Sequence, residues 1–274
     1  MREFGVDEAG KGPVLGSMFA AAVVADPADL PDDVGDSKGI APERREELAG
    51  TIREVATAVG VAEVTVERID DEETDMNSLT VAAHAEALVA ALDDCADLPR
   101  PPADGESADD TDTAPSGDAD DALSGYVDAG DTNAVRFERR VAEGVADRLS
   151  TGVALEVRGE HGADETYPIV GAASIVAKVE RDAHVTGLAE EYGDLGSGYP
   201  SDPATKAFLS EYVAEHDALP PCARASWKTS RDALADAAQS SLGEFEPDGG
   251  TAAEGDAKAD GGRADPTPTT LDEF

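Results

Sequence analysis

The stretch FGVDEAGKGP, residues 4–13, places two adjacent acids at the end of an apolar run and follows them with two glycines around a lysine. An apolar run that breaks into Gly-x-Gly-Pro is typical of a buried strand ending in a sharp turn. Because side chains alternate across a strand, Asp7 and Glu8 should point to opposite faces. Gly10 and Gly12 have no Cβ, so backbone N–H groups there could approach a ligand closely. The stretch predicts a functional site, although the same residue types also occur in ordinary solvated turns.

The rest of the chain alternates strand-like and helix-like patterns. Strands are predicted at residues 2–7, 14–24, 61–67, 125–129 and 153–157. Helices are predicted at residues 42–59, with Gly60 ending the helix, and at 75–93, 134–149, 169–192, 203–216 and 230–242. The first three strands should form an antiparallel meander, and the last two should join it through crossover helices. This pattern predicts an α/β fold with a mixed five-stranded sheet, flanking helices and a C-terminal helical region.

The composition is strongly acidic. The formal net charge is −39, and six lysines stand beside fifteen arginines. Such a surface keeps a protein dissolved in concentrated salt, where the salt screens the self-repulsion of the charges. No segment has the apolar length of a membrane span, and the N-terminus lacks the charged-then-apolar pattern of a signal peptide. The sequence therefore predicts a cytoplasmic protein of a halophile with no membrane partner.

Four acids are candidates for one site. Asp7 and Asp128 end predicted strands, and Asp164 stands at the entry to a helix, so with Glu8 they could meet at the carboxyl edge of the sheet. A cluster of carboxylates without histidine or cysteine suits Mg²⁺ or Mn²⁺. Two such ions stabilise the attacking and leaving oxygens when a phosphodiester is hydrolysed. The alternative is that these acids only solvate the surface, as most acids do in so acidic a chain.

Six blocks, in this order, resemble ribonuclease HII of the archaeal type. They are GVDEAGKGPV (5–14), DSK (36–38), YVDA (126–129), HGAD (161–164), AASIVAK (172–178) and GSGYPSDP (196–203). The resemblance covers roughly residues 1–231 apart from an acidic insert, and six ordered blocks are far more specific than any one motif. It implies a ribonuclease H-like fold and endonucleolytic cleavage of the RNA strand in RNA–DNA hybrids, including at ribonucleotides embedded in DNA.

The resemblance also implies roles for particular residues. The family's four catalytic, metal-binding acids fall on Asp7, Glu8, Asp128 and Asp164, with two Mg²⁺ or Mn²⁺ ions during catalysis. The glycine-basic-glycine segment that reads the 2′-hydroxyl at the RNA-to-DNA junction falls on Gly10, Lys11 and Gly12. The tyrosine that packs on the deoxyribose falls on Tyr199. Arginine is common at the middle of that segment, and Lys11 supplies its charge without a bidentate fork.

Two acidic segments depart from the family pattern. Residues 98–123 are rich in Pro, Asp, Gly, Ser and Thr, which predicts a disordered insert in a catalytic domain that spans residues 1–243. Residues 244–274 are predicted to be a disordered acidic tail. Within it, Leu271 to Phe274 looks like a truncated version of the peptide with which some relatives bind the sliding clamp. We expect a monomer, with the clamp as a candidate partner.

Two other functions are compatible with parts of the sequence. Another nuclease of ribonuclease H-like fold, such as a resolvase or an exonuclease, would use the same metal chemistry on DNA alone. A non-catalytic acidic protein that binds cations or basic partners would satisfy the composition. The Gly10–Gly12 segment and Tyr199 argue against the first. The apolar strand before Asp7 argues against the second.

Overall fold

The computed structural model of the chain describes residues 1–35, 39–95, 122–149 and 154–243. Three sequence predictions therefore fall wholly or mainly outside the described residues: the block at 36–38, the acidic insert and the tail with its clamp-like terminus. No helix in the described part of the chain is long and apolar enough to cross a membrane.

The described residues form strands and helices in alternation after an initial hairpin. The strands are β1 (Glu3–Ala9), β2 (Met18–Ala25), β3 (Ala58–Val64), β4 (Leu123–Asp128) and β5 (Leu155–Glu160). The helices are α1 (Pro42–Val55), α2 (Val66–Ile69), α3 (Met76–Asp94), α4 (Ala134–Ala146), α5 (Ala163–Thr166), α6 (Pro168–Tyr192), α7 (Pro203–His216) and α8 (Lys228–Gly243), with a 3₁₀ turn at Pro27–Asp29. This arrangement confirms the α/β prediction.

One mixed sheet carries the five strands in the order β3-β2-β1-β4-β5. The β1–β2 and β2–β3 pairs are antiparallel, and the β1–β4 and β4–β5 pairs are parallel. The predicted meander and crossovers are therefore confirmed. The parallel ladder between β1 and β4 ends at the pair Val6–Val127, whereas the ladder with β2 continues to Ala9. The last three residues of β1 are thus not paired with β4.

Helices cover both faces of the sheet. All eight residues of β2 are buried, as expected for an apolar strand with packed layers on both sides. The helices α3 and α4 pack on one face, where Leu88 and Phe137 join Phe4 in the core. The helices α1 and α6 pack on the other face, where Ile52 and Ile175 are buried. A third apolar cluster joins residues 14–15 to the C-terminal helical region.

The boundary predicted between the first long helix and the third strand is wrong. Helix α1 ends at Val55, and β3 begins at Ala58, so Val59 and Gly60 belong to a strand. Gly60 is required there by packing, because a Cβ at this position would lie 2.1 Å from the carbonyl oxygen of Ala87 in α3. The sequence pattern predicts a helix terminator at a glycine that in fact allows close approach between layers.

Other strand boundaries also differ from the prediction. The first strand runs to Ala9 rather than residue 7, and the second begins at Met18 rather than residue 14. Residues 14–17 instead leave the sheet: the N–H groups of Val14 and Leu15 donate to the carbonyl oxygen of Gly198. The third strand stops at Val64, because Thr65 accepts a hydrogen bond from the backbone of Arg68 and begins α2.

Three further boundaries, from β4 onward, differ from the prediction. The insert does not extend to residue 123, because Leu123 is buried as the first residue of β4. Helix α4 ends at Ala146, three residues before the predicted end. The last strand begins at Leu155 and continues to Glu160, beyond the predicted end at residue 157.

Gly5 allows α6 to lie against β1, and we predict that Gly5→Ala destabilises the fold. An added Cβ would meet the backbone of Ile169 at 2.4 Å, and neither layer can move without disturbing the core. We expect a loss of about 3 kcal/mol in the free energy of unfolding, measured by urea titration in molar KCl. The matched control is Gly50→Ala in α1, where the added methyl meets nothing within 4 Å. That variant should be neutral or slightly more stable, and an equal loss in both would contradict the packing explanation.

Candidate active site

Asp7 and Glu8 lie side by side near the end of β1 and point to opposite faces of the sheet, as predicted. Asp7 faces α6, where Ser174 and Lys178 are its neighbours. Glu8 faces α3, where its Oε2 is 2.8 Å from Nε2 of His84. Opposite them on β2 stand Ala21 and Ala20, whose small side chains leave room for both carboxylates.

Asp128 and Asp164 are positioned by the parallel strands β4 and β5. Asp128 is the last residue of β4, and Asp164 is the second residue of the short helix α5 that follows β5. The N–H of Ala163, the residue before Asp164, donates to Oδ1 of Asp128 at 2.9 Å. This hydrogen bond connects the start of α5 to the end of β4. Gly162 has a φ of 69°, a left-handed conformation that a residue with a side chain adopts only with strain. The glycine thereby turns the chain from β5 into α5 and places Asp164 near Asp128.

All four predicted acids line one cleft at this edge of the sheet. Its volume is about 460 Å³, and the predicted reading segment and Tyr199 line it as well. The remaining lining residues include the cations Arg45, Lys178 and Arg181. The structure therefore brings together every residue that the sequence predicted for the site.

Asp7 is the most deeply buried of the four acids, with 4% of its surface exposed. Burial, followed by the negative charge of Glu8, raises the pKa of Asp7 well above its ordinary value. A hydrogen bond from Ser174 and the positive charge of Lys178 oppose the rise without cancelling it. Asp7 is therefore a carboxylate whose negative charge the protein compensates only in part.

Glu8 is held by a histidine that sequence analysis did not single out. His84 is fully buried in α3, and its ring packs edge-on against Phe137. An ionised carboxylate only accepts hydrogen bonds, which assigns the Nε2–H tautomer to His84. No partner of its Nδ1 is found in the described part of the chain. Burial would raise the pKa of Glu8, but the hydrogen bond from His84 and the charge of Lys11 more than offset it and lower that pKa.

The carboxylates offer an all-oxygen ligand set, which suits a hard divalent cation. Burial raises the pKa of Asp128, and the charges of Glu8 and Asp164 add to the rise. Mutual repulsion of this kind is relieved when a cation binds between the acids. Within the described residues no three His, Cys, Asp or Glu side chains are already arranged around an ion position. Glu8 contacts His84 through Oε2 and Asp128 accepts the Ala163 amide at Oδ1, and a carboxylate can keep such a contact while its other oxygen binds a metal.

The Gly10–Gly12 segment lies between the acids and Tyr199. The ring of Tyr199 is close to Gly12, since a Cβ on that glycine would lie 3.7 Å from its Cε1. Arg181 lies beneath the same ring, with its guanidinium carbon 5.3 Å from the ring centre. The Lys11 ammonium donates to the carbonyl oxygen of Gly130, which follows β4. The ammonium of Lys11 is thus bound within the protein, and Lys11 is one of the residues that line the cleft.

Several residues of the site carried too little sequence signal to be assigned a role. Ser174 and Lys178 lie in a quoted block, and their spacing of four residues puts them on one face of α6, which could have identified them. His84 stands at an inner position of α3 among apolar residues, where a polar side chain is a weak signal. Arg224 donates to the carbonyl oxygens of Gly10 and Lys11, but it follows two prolines in an irregular segment, and no periodicity points to it.

Comparison with known proteins assigns the chain to one family. A family model described as ribonuclease HII matches residues 4–111 and 125–230. The chain belongs to the ribonuclease HII family. It is similar to the ribonuclease HII of Haloarcula marismortui, with 60% identity over 242 residues that cover 88% of this chain and 99% of the relative.

Solved structures give the same result. The ribonuclease H2 of Pyrococcus horikoshii OT3 has a TM-score of 0.68 and 33% identity, and the match covers 87% of this chain and 100% of that one. The ribonuclease HII of Archaeoglobus fulgidus, solved as a complex with PCNA, has a TM-score of 0.65 and 34% identity, and the match covers 83% and 96%. The ribonuclease H-like fold is thereby confirmed.

Membership of this family confirms the predicted enzyme class. The chain is a ribonuclease H, an endonuclease for the RNA strand of RNA–DNA hybrids, and its family uses divalent metal ions. The alternatives of a DNA-only nuclease and of a non-catalytic acidic protein are excluded. The similarity to a relative from a halophilic archaeon also supports the predicted halophilic origin.

Proposed function

We propose that the cleft hydrolyses the RNA strand with two divalent cations, Mg²⁺ or Mn²⁺, and that it also cuts at single ribonucleotides in duplex DNA. The observation that carries the proposal is the convergence of four carboxylates with the Gly10–Gly12 segment and Tyr199 in one cleft. When bound, the cations supply an activated water and stabilise the charge on the attacking and leaving oxygens.

The four acids would have different roles in binding the cations. Asp7 is the most buried of the four acids, and the charges of Glu8 and Asp128 both raise its pKa. We propose that Asp7 contacts both cations and that Glu8, Asp128 and Asp164 complete their oxygen shells. Lys178 and Ser174 hold the Asp7 carboxylate from the α6 side. His84 holds Glu8 from the α3 side.

The substrate would be read at the ribose. Only the 2′-hydroxyl distinguishes a ribonucleotide from a deoxyribonucleotide at a single position. We propose that the backbone of Gly10, Lys11 and Gly12 donates to this hydroxyl and that the Tyr199 ring packs on the following deoxyribose. Tyr199 is 40% exposed and lies directly beside Gly12, so a sugar bound against this surface would contact both.

Cleavage of three matched duplexes tests this function. One duplex carries an RNA strand, one carries a single ribonucleotide in DNA, and the third is DNA alone, all with the same sequence. In molar KCl with Mn²⁺ or Mg²⁺ we expect the first two to be cut and the third to remain intact, with no cleavage in EDTA. Equal cutting of the DNA duplex would contradict reading of the 2′-hydroxyl, and cutting in EDTA would contradict metal chemistry.

His84→Phe tests the support of Glu8. We expect the affinity for Mn²⁺, measured by electron paramagnetic resonance titration, to fall about tenfold, because a residue that orients a metal-binding carboxylate is lost. His84→Gln keeps a side-chain N–H and should recover part of that affinity. Unchanged Mn²⁺ affinity in a folded His84→Phe protein would show that His84 only fills the core.

We propose that the chain binds a sliding clamp through Leu271 to Phe274. The support is the sequence of this terminus and the similarity to the Archaeoglobus fulgidus enzyme, which was solved with PCNA. Substituting Leu271 and Phe274 by alanine should weaken binding to a halophilic clamp at least tenfold, because apolar anchors carry most of such affinities. Hybrid cleavage without the clamp should not change. Equal clamp affinity in the variant, measured by calorimetry, would refute this assignment.

We also propose a monomeric catalytic domain at residues 1–243, with residues 244–274 as a tail. All four acids, the reading segment and Tyr199 come from one chain, so the site needs no second copy. A cytoplasmic location fits the nucleic acid substrate. Sedimentation in molar KCl at a molecular mass other than that of one chain would contradict the monomer.

A further inference from the structure

Arg224 is the largest fully buried side chain of the described protein, and it binds only main-chain carbonyls close to the cleft. Its guanidinium donates to Gly16 O at 2.8 Å, to Lys11 O at 3.0 Å and to Gly10 O at 2.6 Å. A buried arginine normally pairs with a carboxylate, because its charge is costly to bury alone. Here the carbonyls of one loop take that place.

Trp227 also donates to a main-chain carbonyl of this loop. Its indole N–H donates to Gly12 O at 3.3 Å, and its ring lies 4.9 Å from the guanidinium carbon of Arg224. The backbone N–H of Arg224 donates to Val14 O at 2.8 Å. Residues 224–227 therefore hold the carbonyls of three successive residues, 10 to 12, on the inner side of the loop.

Peptide geometry determines where the amides of this loop point. In a trans peptide the C=O of one residue and the N–H of the next point in opposite directions, and the described residues contain no cis peptide. Because the carbonyls of Gly10 and Lys11 face the buried Arg224, the N–H groups of Lys11 and Gly12 face the other side. Both residues line the cleft, so amides turned away from Arg224 are available to a molecule bound there. Neither amide donates a hydrogen bond within the described ranges.

We propose that Arg224 is the positioning residue for ribose recognition: it holds the carbonyls of Gly10 and Lys11 so that the amides of Lys11 and Gly12 can donate to the 2′-hydroxyl. The proposal rests on the proposed function and assigns the reading to two particular amides. The side chain of Lys11 takes no part, since its ammonium is bound to Gly130 O.

The chemistry of the position requires arginine. Three carbonyls are reached by three different nitrogens of one planar fork, which a lysine ammonium at the end of a flexible chain cannot match. Burial, with the charge of Arg181 adding to it, lowers the pKa of Arg224 to about 10, so the guanidinium is still charged at neutral pH. The charge strengthens each hydrogen bond to the loop.

Discrimination between two duplexes tests the proposal. Binding is measured by fluorescence anisotropy in molar KCl with Ca²⁺ in place of Mn²⁺ to suppress cleavage, on a DNA duplex with one ribonucleotide and on the same duplex as DNA alone. We expect Arg224→Lys to reduce the preference for the ribonucleotide about tenfold and to leave the affinity for the DNA duplex unchanged. Arg68→Lys is the matched control, because Arg68 forms a two-pronged pair with Glu86, and its preference should equal that of the wild type.

Other outcomes would contradict the role proposed for Arg224. If Arg224→Lys is folded by circular dichroism and keeps the preference, or weakens both duplexes equally, the proposal is wrong. If Arg224→Lys does not fold, Trp227→Phe removes the hydrogen bond to Gly12 O, keeps an aromatic ring beside the Arg224 guanidinium, and should reduce the preference about threefold; an unchanged preference then refutes the proposal. A wild-type protein that cleaves hybrids but binds both duplexes equally would overturn this inference alone. A wild-type protein that cleaves no hybrid would overturn the proposed function with it.

Discussion

Asp7→Asn should reduce hybrid cleavage at least a thousandfold while the protein remains folded. A thousandfold loss corresponds to about 4 kcal/mol of transition-state stabilisation. Asp7 is the acid proposed to contact both cations, and a neutral amide can neither compensate their charge nor bind them as a carboxylate does. The amide oxygen can still accept the 2.7 Å hydrogen bond from the Glu8 amide, so the local backbone should be preserved. Initial rates with Mn²⁺ in molar KCl provide the measurement.

The same substitution should make the metal-free protein more stable. Burial and the charge of Glu8 disfavour ionised Asp7, so its folded pKa lies above its unfolded one. A raised carboxyl pKa costs stability as the pH rises above the unfolded value, and Asn removes that cost at neutral pH. We expect a melting temperature a few degrees higher in EDTA and a loss of the increase that Mn²⁺ gives the wild type. Near-wild-type cleavage by Asp7→Asn would refute the assignment of Asp7.

The second large effect should be that of salt concentration on folding and on hybrid cleavage. In dilute buffer we expect the fold to be lost, because a chain with a net charge of −39 repels itself when the charges are not screened. As KCl rises to molar concentrations, the far-ultraviolet circular dichroism signal should return and hybrid cleavage should persist or increase. Both are measured across one KCl series at constant Mn²⁺.

The cleft itself explains why cleavage can tolerate such salt. Contacts that depend on lysine or arginine reaching phosphates weaken steeply with salt, by roughly a thousandfold or more when several are made. Here Arg45 is paired with Asp182 at 2.7 Å, Arg181 binds Ser197 O, and Lys11 binds Gly130 O. Binding through backbone amides, a sugar contact and metal bridges is short-ranged and weakly screened. A fold equally stable at low salt, with activity that falls steadily as KCl increases, would contradict this prediction and leave the enzyme class intact.

The parts of the site that follow from local pattern could be predicted. Alternation along β1 is a local property, so the opposite directions of Asp7 and Glu8 follow from residues 4–8 alone. The positions of Asp128 at a strand end and Asp164 at a helix entry follow in the same way. Their convergence follows from the rule that ligands bind at the carboxyl ends of parallel strands.

The parts that depend on contacts distant in sequence could not be predicted. Gly60 serves the packing of α3 on β3, and nothing near it in the chain shows that it lies in a strand. Arg224 acts on residues more than two hundred positions away, and its role exists only after the C-terminal region has folded over residues 10–16. His84 is a polar residue on the inner face of a helix, and its partner on β1 is visible only in three dimensions.

The most direct test of the account is to map the cut in DNA duplexes that carry one ribonucleotide, moved by one position at a time along the same sequence. The cleft is proposed to place the scissile phosphate by reading a 2′-hydroxyl, so the cut made by the wild-type protein should move with the ribonucleotide in every duplex. The duplex without a ribonucleotide should stay intact. A cut that stays at one sequence position, or that appears equally in the all-DNA duplex, would contradict the account.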